Sequence, residues 1–242
     1  MKLVGATALV TGSNRGMGAQ FVEQLLERGA ARVYAATRNP DAVQRIPGVE
    51  VLTLDVTDQS AIAAAAAAAQ DTSLLINNAG SSTNQRLVDG DLDKIRLEMD
   101  THYYGTLNMV RAFAPILRAN GGGAILNMLS ALSWLAFDGV GAYCSAKSAE
   151  WGLTNSVRLE LVDQRTQVTG LLVGSVDTDM MAGWDVPKAD PKLVVEKALD
   201  GIEAGTLEVL ADDGTVQLKS ALSQDPSVLY PNTSPSKWSM TS

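Results

Sequence analysis

A short, mostly apolar run, Ala6 to Val10, leads directly into Thr11-Gly12-Ser13-Asn14-Arg15-Gly16-Met17-Gly18, and an amphipathic stretch from Gly16 to Arg28 then ends at Gly29. This order constrains the fold more than any other feature of the chain. A short apolar run bounded by turn residues reads as a buried strand. Glycines permit a tight reversal and let backbone amides at a helix N-terminus approach a phosphate group. The bland alternative is a glycine-rich strand–helix turn that holds no ligand. Its place after the first strand of an alternating chain favours nucleotide binding.

The alternation continues to about residue 211. Further strands are expected at Arg32–Ala36, Val49–Leu54, Leu74–Ile76, Ala124–Met128, Val168–Val173 and Leu207–Ala211. Helices are expected at Ala63–Ala69 with Asp58 as cap, in the charged part of 81–98, and at Thr101–Leu117, Tyr143–Val162 and Pro191–Glu203. The alanine tract within 63–69 is read as helix because alanine is the best helix former. Strands alternating with helices imply an α/β fold: a Rossmann-type doubly wound parallel sheet of about seven strands, covered by helices on both faces. Residues 1–222 are read as one dinucleotide-binding and catalytic domain. Residues 223–242, rich in Ser, Pro and Thr, are read as a tail that is loose or ordered at a subunit contact.

Composition removes several classes of function. The net charge of −8 argues against a nucleic-acid partner, which would need a basic patch. One histidine, His102, and one cysteine, Cys144, leave neither a histidine-rich metal site nor an internal disulfide, so no metal is expected. No apolar run approaches the roughly 20 residues that span a bilayer. Lys2 and the apolar stretch Leu3–Val10 run into a patterned helix without a small-residue cleavage site, so a first strand is favoured over a secretion signal. A cytoplasmic protein is expected.

Tyr143 and Lys147 form the only Tyr-x-x-x-Lys in the chain. A free phenol titrates near 10, too high for efficient proton transfer at neutrality, and bringing it there requires stabilising its anion by ~4 kcal/mol. An ammonium one helical turn away supplies charge of the needed sign. Ser130, thirteen residues before Tyr143, closes an expected strand, with Ser133 as the rival hydroxyl.

Thr11-Gly12-x-x-x-Gly16-x-Gly18, Asn77-Asn78-Ala79-Gly80, Ser130, Tyr143-x-x-x-Lys147 and Thr178-x-Met180 follow one another in an order that resembles the short-chain dehydrogenase/reductase family, from about Leu3 to Ala211. The resemblance implies that Ser130 hydrogen-bonds the substrate oxygen, that Tyr143 exchanges a proton with it, and that Lys147 lowers the Tyr143 pKa and holds the nicotinamide ribose. It also implies a cofactor site built from Gly12, Asn14, Arg15, Gly16, Met17 and Gly18, with Thr37 and Arg38 at the end of the second strand. Asp55 and Val56 would lie by the adenine, Asn78, Ala79 and Gly80 by the ribose, and Val176 and Thr178 by the carboxamide. Local alternatives stay open, among them plain turn and cap roles for Asp55, Asn78 and Thr178.

A carboxylate at the end of the second strand would select NAD, whereas an arginine there suits a 2′-phosphate. Ala36-Thr37-Arg38 has no acid, and Arg15 adds a second cation, so NADP(H) is expected over NAD(H). The alternative is that Arg38 is solvated or stacks on adenine without preference. The family's usual asparagine in the long helix is replaced by His102, which is either part of a proton relay or a packing residue. Trp134, Leu135, Phe137, Met180, Met181 and Trp184 suggest a pocket for an apolar or aromatic ketone, aldehyde or alcohol. Interconversion of ketone or aldehyde with alcohol is the expected activity. An NADP(H)-binding sensor or scaffold and a C=C or C=N reductase are the other readings. By family analogy a homodimer or homotetramer is expected.

Overall fold

The computed structural model describes residues 1–231 and 233. Seven strands, β1 (Thr7–Thr11), β2 (Arg32–Thr37), β3 (Val49–Thr53), β4 (Leu74–Asn77), β5 (Gly123–Met128), β6 (Thr166–Leu172) and β7 (Glu208–Leu210), form one sheet in the order β3-β2-β1-β4-β5-β6-β7. Every neighbouring pair is parallel. The order reverses between β1 and β4, and at such a switch point a crevice opens beyond the carboxyl ends of the strands. Thr11 ties the two ends together there: its Oγ1 accepts hydrogen bonds from the Asn78 and Ala79 amides at 3.0 and 2.9 Å.

Alternation along each strand feeds two cores. Ala8, Val10, Ile76 and Leu126 pack with Phe21 and Leu25 of α1 (Gly16–Glu27) and with Val195 and Leu199 of α6 (Pro191–Ala204). Leu9, Leu75 and Ile125 pack on the opposite face. There they meet Ile62 of α2 (Gln59–Ala68), Met109 and Phe113 of α4 (Thr106–Ala119), and Leu153 and Val157 of α5 (Gly141–Glu160). Full burial of each such side chain contributes about 1.5–3 kcal/mol, so the two cores fix the sheet that carries the crevice. Helix starts follow local chemistry: Asp58 accepts from the Ser60 and Ala61 amides, and Asp190 caps α6 with Pro191 in its first turn.

Three features depart from the sequence expectations. Thr101–Leu117 is not one uniform helix: α3 (Leu92–Met99) runs through a π-helical turn, Asp100–Gly105, into α4. Such turns insert a residue into the helical ladder and concentrate at functional sites. α7 (Asp213–Ala221) follows β7 and was not foreseen; it is fastened by reciprocal bonds between Asp212 and Thr215. The Ser/Pro/Thr-rich tail expected at 223–242 contains a short α8 (Pro226–Leu229), and the Tyr230 hydroxyl accepts from the Ala136 amide at 3.0 Å. Residues 232 and 234–242 lie outside the described residues, and with them most of that expectation. Among the described residues no helix is long and apolar enough to cross a membrane.

Candidate active site

The turn between β1 and α1 is shaped by sterics before any ligand is considered. Gly12 has φ +67°, and a β-carbon there would meet Ala79 Cα at 2.9 Å. A β-carbon on Gly18 would stand 2.0 Å from the Gly12 carbonyl oxygen. No side chain caps the start of α1, because Arg15 precedes it in extended backbone without a capping bond. The free amides of the first turn therefore face the crevice and suit an anion.

That crevice is a cleft of about 240 Å³ which gathers Gly12, Asn14, Arg15, Gly16, Met17, Gly18, Thr37, Arg38, Asp55, Val56, Asn78, Ala79, Gly80 and Thr178. Thr37 Oγ1 donates to Asn14 Oδ1 at 3.0 Å and fixes the end of β2 against the glycine turn. Arg15 Nη1 lies 2.8 Å from Asp179 Oδ2, with both side chains largely exposed, so this pair is weak and can exchange for another anion. Asp55 accepts from the Thr57 amide and hydroxyl and does not cap α2, which is the task of Asp58. The glycine turn, the uncapped helix start and two arginines along one cleft fit a phosphate-bearing dinucleotide.

A second cavity of about 330 Å³ adjoins the first and shares Met17, Asn78, Gly80, Thr178 and Met180 with it. Ser130, Tyr143, Lys147, His102 and Val176 line it, together with Phe137, Met181 and Trp184. The Phe137 and Trp184 rings face each other edge-on at 6.2 Å. Trp134 and Leu135, expected here as well, do not line it. Trp134 packs instead against Trp151 at 6.3 Å and under Lys219 of α7, because the turn after Ser130 directs it away from the cavity.

Ser130 and Ser133 have different surroundings. Ser130 closes the cap of a single 3-10 turn: its Oγ accepts from the Leu132 amide at 3.1 Å, and Ser133 Oγ accepts from the Ser130 amide at 3.2 Å. Both are buried, but Ser130 lines the cavity and Ser133 does not. On α5, Lys147 Nζ donates to the Met128 carbonyl at 2.6 Å and to Glu150 Oε2 at 2.7 Å, and lies 5.8 Å from the centre of the Tyr143 ring.

Opposing charges meet at Tyr143. Burial pushes the Tyr143 phenol upward; Lys147 and a hydrogen bond from Ser130 pull it down, but Glu150 and Glu98 oppose them, and it ends above the ordinary tyrosine range. Lys147 acts in the expected direction, against burial and the two carboxylates. Burial also disfavours the Lys147 ammonium, yet Glu150 and Tyr143 beside it hold it above the usual lysine value.

His102 stands in the π-helical turn and is almost wholly buried. Its Nε2 donates to the Ser81 carbonyl at 2.8 Å and lies 3.3 Å from Glu98 Oε2, while Nδ1 is 4.0 Å from Glu150 Oε2. Its ring meets the Tyr143 ring edge-on at 5.2 Å. Burial works against the Glu98 charge, but His102 beside it and a hydrogen bond from the Thr83 amide prevail and hold that carboxyl below its ordinary range. Sequence reasoning passed over Glu98 and Glu150. The available signal was spacing, since Glu98 stands four residues before His102 and Glu150 three after Lys147, neighbouring positions on a helix face.

A parallel sheet with its crevice at the switch point, joined to a cavity bearing Ser, Tyr and Lys, defines a dinucleotide-dependent oxidoreductase architecture. Comparison with known proteins gives the family: the model for short chain dehydrogenases matches residues 6–188, and the chain belongs to the short-chain dehydrogenase/reductase family of oxidoreductases. Sorbitol dehydrogenase of Cereibacter sphaeroides is 34% identical over 200 residues, covering 78% of each chain. D-erythrulose reductase of Gallus gallus is 30% identical across 91% of this chain and 94% of its own. A short chain dehydrogenase of Burkholderia cenocepacia, solved in complex with NADP, superposes with a TM-score of 0.92 at 37% identity, covering 97% of this chain and all of the other.

Proposed function

We propose that residues 1–222 act as an NADP(H)-dependent reductase of neutral, apolar or aromatic ketones and aldehydes, the reaction being reversible toward the alcohol. The observation that carries this reading is the junction of the two cavities: Ser130, Tyr143 and Lys147 line the second, which shares Met17, Asn78, Gly80, Thr178 and Met180 with the glycine-turn cleft. NADP(H) is favoured because Arg15 and Arg38 line that cleft and neither Thr37, the last residue of β2, nor the next residue is an acid. The Burkholderia relative bound to NADP supports the same choice.

When bound, the cofactor supplies the hydride. The chain supplies the rest. The Ser130 hydroxyl donates a hydrogen bond to the substrate oxygen and steadies the negative charge that develops there. Tyr143 gives its phenolic proton to the same oxygen, so the carbonyl becomes an alcohol and a phenolate remains to be reprotonated. Lys147, anchored on Met128 and Glu150, stabilises that phenolate while it lasts. Phe137, Trp184, Met180 and Met181 exclude water and receive the substrate's apolar body. Lys147 is the only Lys or Arg among the cavity-lining residues and is already paired, which disfavours substrates carrying a carboxylate or phosphate.

The test is NADPH consumption by the purified protein over a panel of neutral aryl and alkyl ketones and aldehydes, with keto acids of similar size alongside. We expect turnover of the neutral compounds, with alcohol as product and NADPH preferred over NADH. Absence of carbonyl reduction across the panel, or a preference for keto acids, would overturn the assignment.

A further inference from the structure

Three buried groups stand behind the Tyr143–Lys147 pair: Glu150, Glu98 and His102, none more than 2% exposed. α5 brings Tyr143, Lys147 and Glu150 to one face at successive turns. Glu150 is held from two sides, for its Oε2 takes a hydrogen bond from Lys147 and its Oε1 takes one from Thr106 Oγ1 at 2.9 Å. Two of the three ammonium donors of Lys147 are thereby committed, one to Glu150 and one to Met128. Behind Glu150 come His102 Nδ1 at 4.0 Å and, on the other side of that ring, Glu98. Such contacts are screened less by salt and water than exposed ones, so the charges act more strongly on their neighbours.

An unpaired ammonium beside Tyr143 would favour the phenolate strongly. With a carboxylate 2.7 Å from it, the ammonium presents a dipole instead of a single charge. We propose that Glu150 is a positioning residue of this site: it anchors Lys147, offsets its charge, and keeps Tyr143 in the protonated form that carbonyl reduction consumes. This rests on the reductase reading given above and adds a preferred direction to it. The groups facing Tyr143 are Lys147 and Glu150 from α5, Glu98 from α3, His102 from the π-helical turn and Ser130 from the cap of the 3-10 turn after β5. Both carboxylates push the phenol upward, consistent with the geometry.

The alternative role for Glu150 is purely structural, as the counter-charge of a buried lysine. Glu150→Gln separates the two, because the amide keeps an acceptor for Lys147 or Thr106 while losing the charge. The readout is tyrosinate absorbance of the protein without cofactor, titrated toward alkaline pH, with Tyr143 isolated by subtracting the same titration of the Tyr143→Phe form. We expect the Tyr143 midpoint in Glu150→Gln to fall by about one pH unit or more, the size a nearby charge produces. The alkaline limb of carbonyl reduction should move down by the same amount. Glu98→Gln should shift both in the same direction by less, and it carries the test if Glu150→Gln does not fold. An unchanged midpoint in the folded variant, with or without a loss of turnover, overturns the proposal. A shifted midpoint in a protein that reduces no carbonyl leaves the tuning by Glu150 in place and removes the reductase reading instead.

Discussion

Gly80 faces His102 so closely that a β-carbon at position 80 would come within 2.8 Å of His102 Cε1. The last residue of Asn77-Asn78-Ala79-Gly80 thus does two things: it borders both cavities and leaves room for the imidazole. The ring cannot retreat easily, being held by the Ser81 carbonyl and packed edge-on against Tyr143. Gly80→Ala should cost about 1–3 kcal/mol, the usual range for overpacking a tight site. It should also lower turnover through displacement of Tyr143. Denaturant unfolding and kcat measured on the same preparation check this; wild-type values for both would show that the ring moves aside freely.

Ser130 and Tyr143 differ in what their removal should do. Tyr143→Phe deletes a proton donor at the cavity, and we expect a loss of roughly 10²–10⁴ in kcat with NADPH affinity nearly unchanged. Ser130→Ala removes a donor to the substrate oxygen, worth about 10²–10³ in rate. It also takes away the acceptor of the Leu132 amide, so a further stability loss of about 1 kcal/mol is expected from the missing cap. Cofactor titration by fluorescence, steady-state kinetics and thermal unfolding of the two variants separate these effects.

Much of this was legible in the sequence because the relevant physics is local. The apolar runs between glycines gave every strand, and only end residues differ, as at β6, which begins at Thr166, ahead of the expected Val168. The Gly turn, Asn78, Ser130 and the Tyr143–Lys147 pair declare themselves by residue type and spacing. The π-helical turn does not, because an inserted residue leaves the surrounding apolar pattern readable as ordinary helix. Glu98 and Glu150 look like solvated helix charges until tertiary packing buries them against His102 and Lys147. Trp134 misled for the opposite reason: a large apolar side chain near a cleft faces wherever the backbone turn directs it, here toward Trp151 and α7.

The two arginines along the cleft, proposed to select the cofactor, have different surroundings. Arg15 is engaged by Asp179, whereas Arg38 follows Thr37 along the same cleft. A charge-assisted contact to a 2′-phosphate is worth about 1.5–3 kcal/mol. Arg38→Ala combined with Thr37→Asp should therefore reduce the ratio of kcat/KM for NADPH over NADH by about 10- to 100-fold. Asp179→Asn releases Arg15 and should have a small effect of the other sign, since an exposed pair contributes at most about 1 kcal/mol. A ratio that does not move in the double variant would remove Arg38 from the cofactor site.

The family's asparagine at position 102 cannot simply be restored in this chain. The imidazole stands between two carboxylates, Nε2 at 3.3 Å from Glu98 and Nδ1 at 4.0 Å from Glu150, with Nε2 bonded to the Ser81 carbonyl. His102→Asn takes away the ring that lies between Glu98 and Glu150, and removing the neighbour of a buried carboxylate is costly, of order 3–5 kcal/mol. Adding Glu98→Gln removes one of those carboxylates, and the double variant should recover stability and turnover relative to His102→Asn alone. A packing role for the histidine predicts the reverse, two losses that add. The acid limb gives a second check. The Glu98 carboxyl is held below its unfolded value, so the stability it contributes is present above about pH 4.3 and is lost as pH falls through the lower folded value. Glu98→Gln should flatten that part of the stability curve in the wild-type background. In the His102→Asn background the flattening should be weaker, because a neighbour that depresses the carboxyl is already gone.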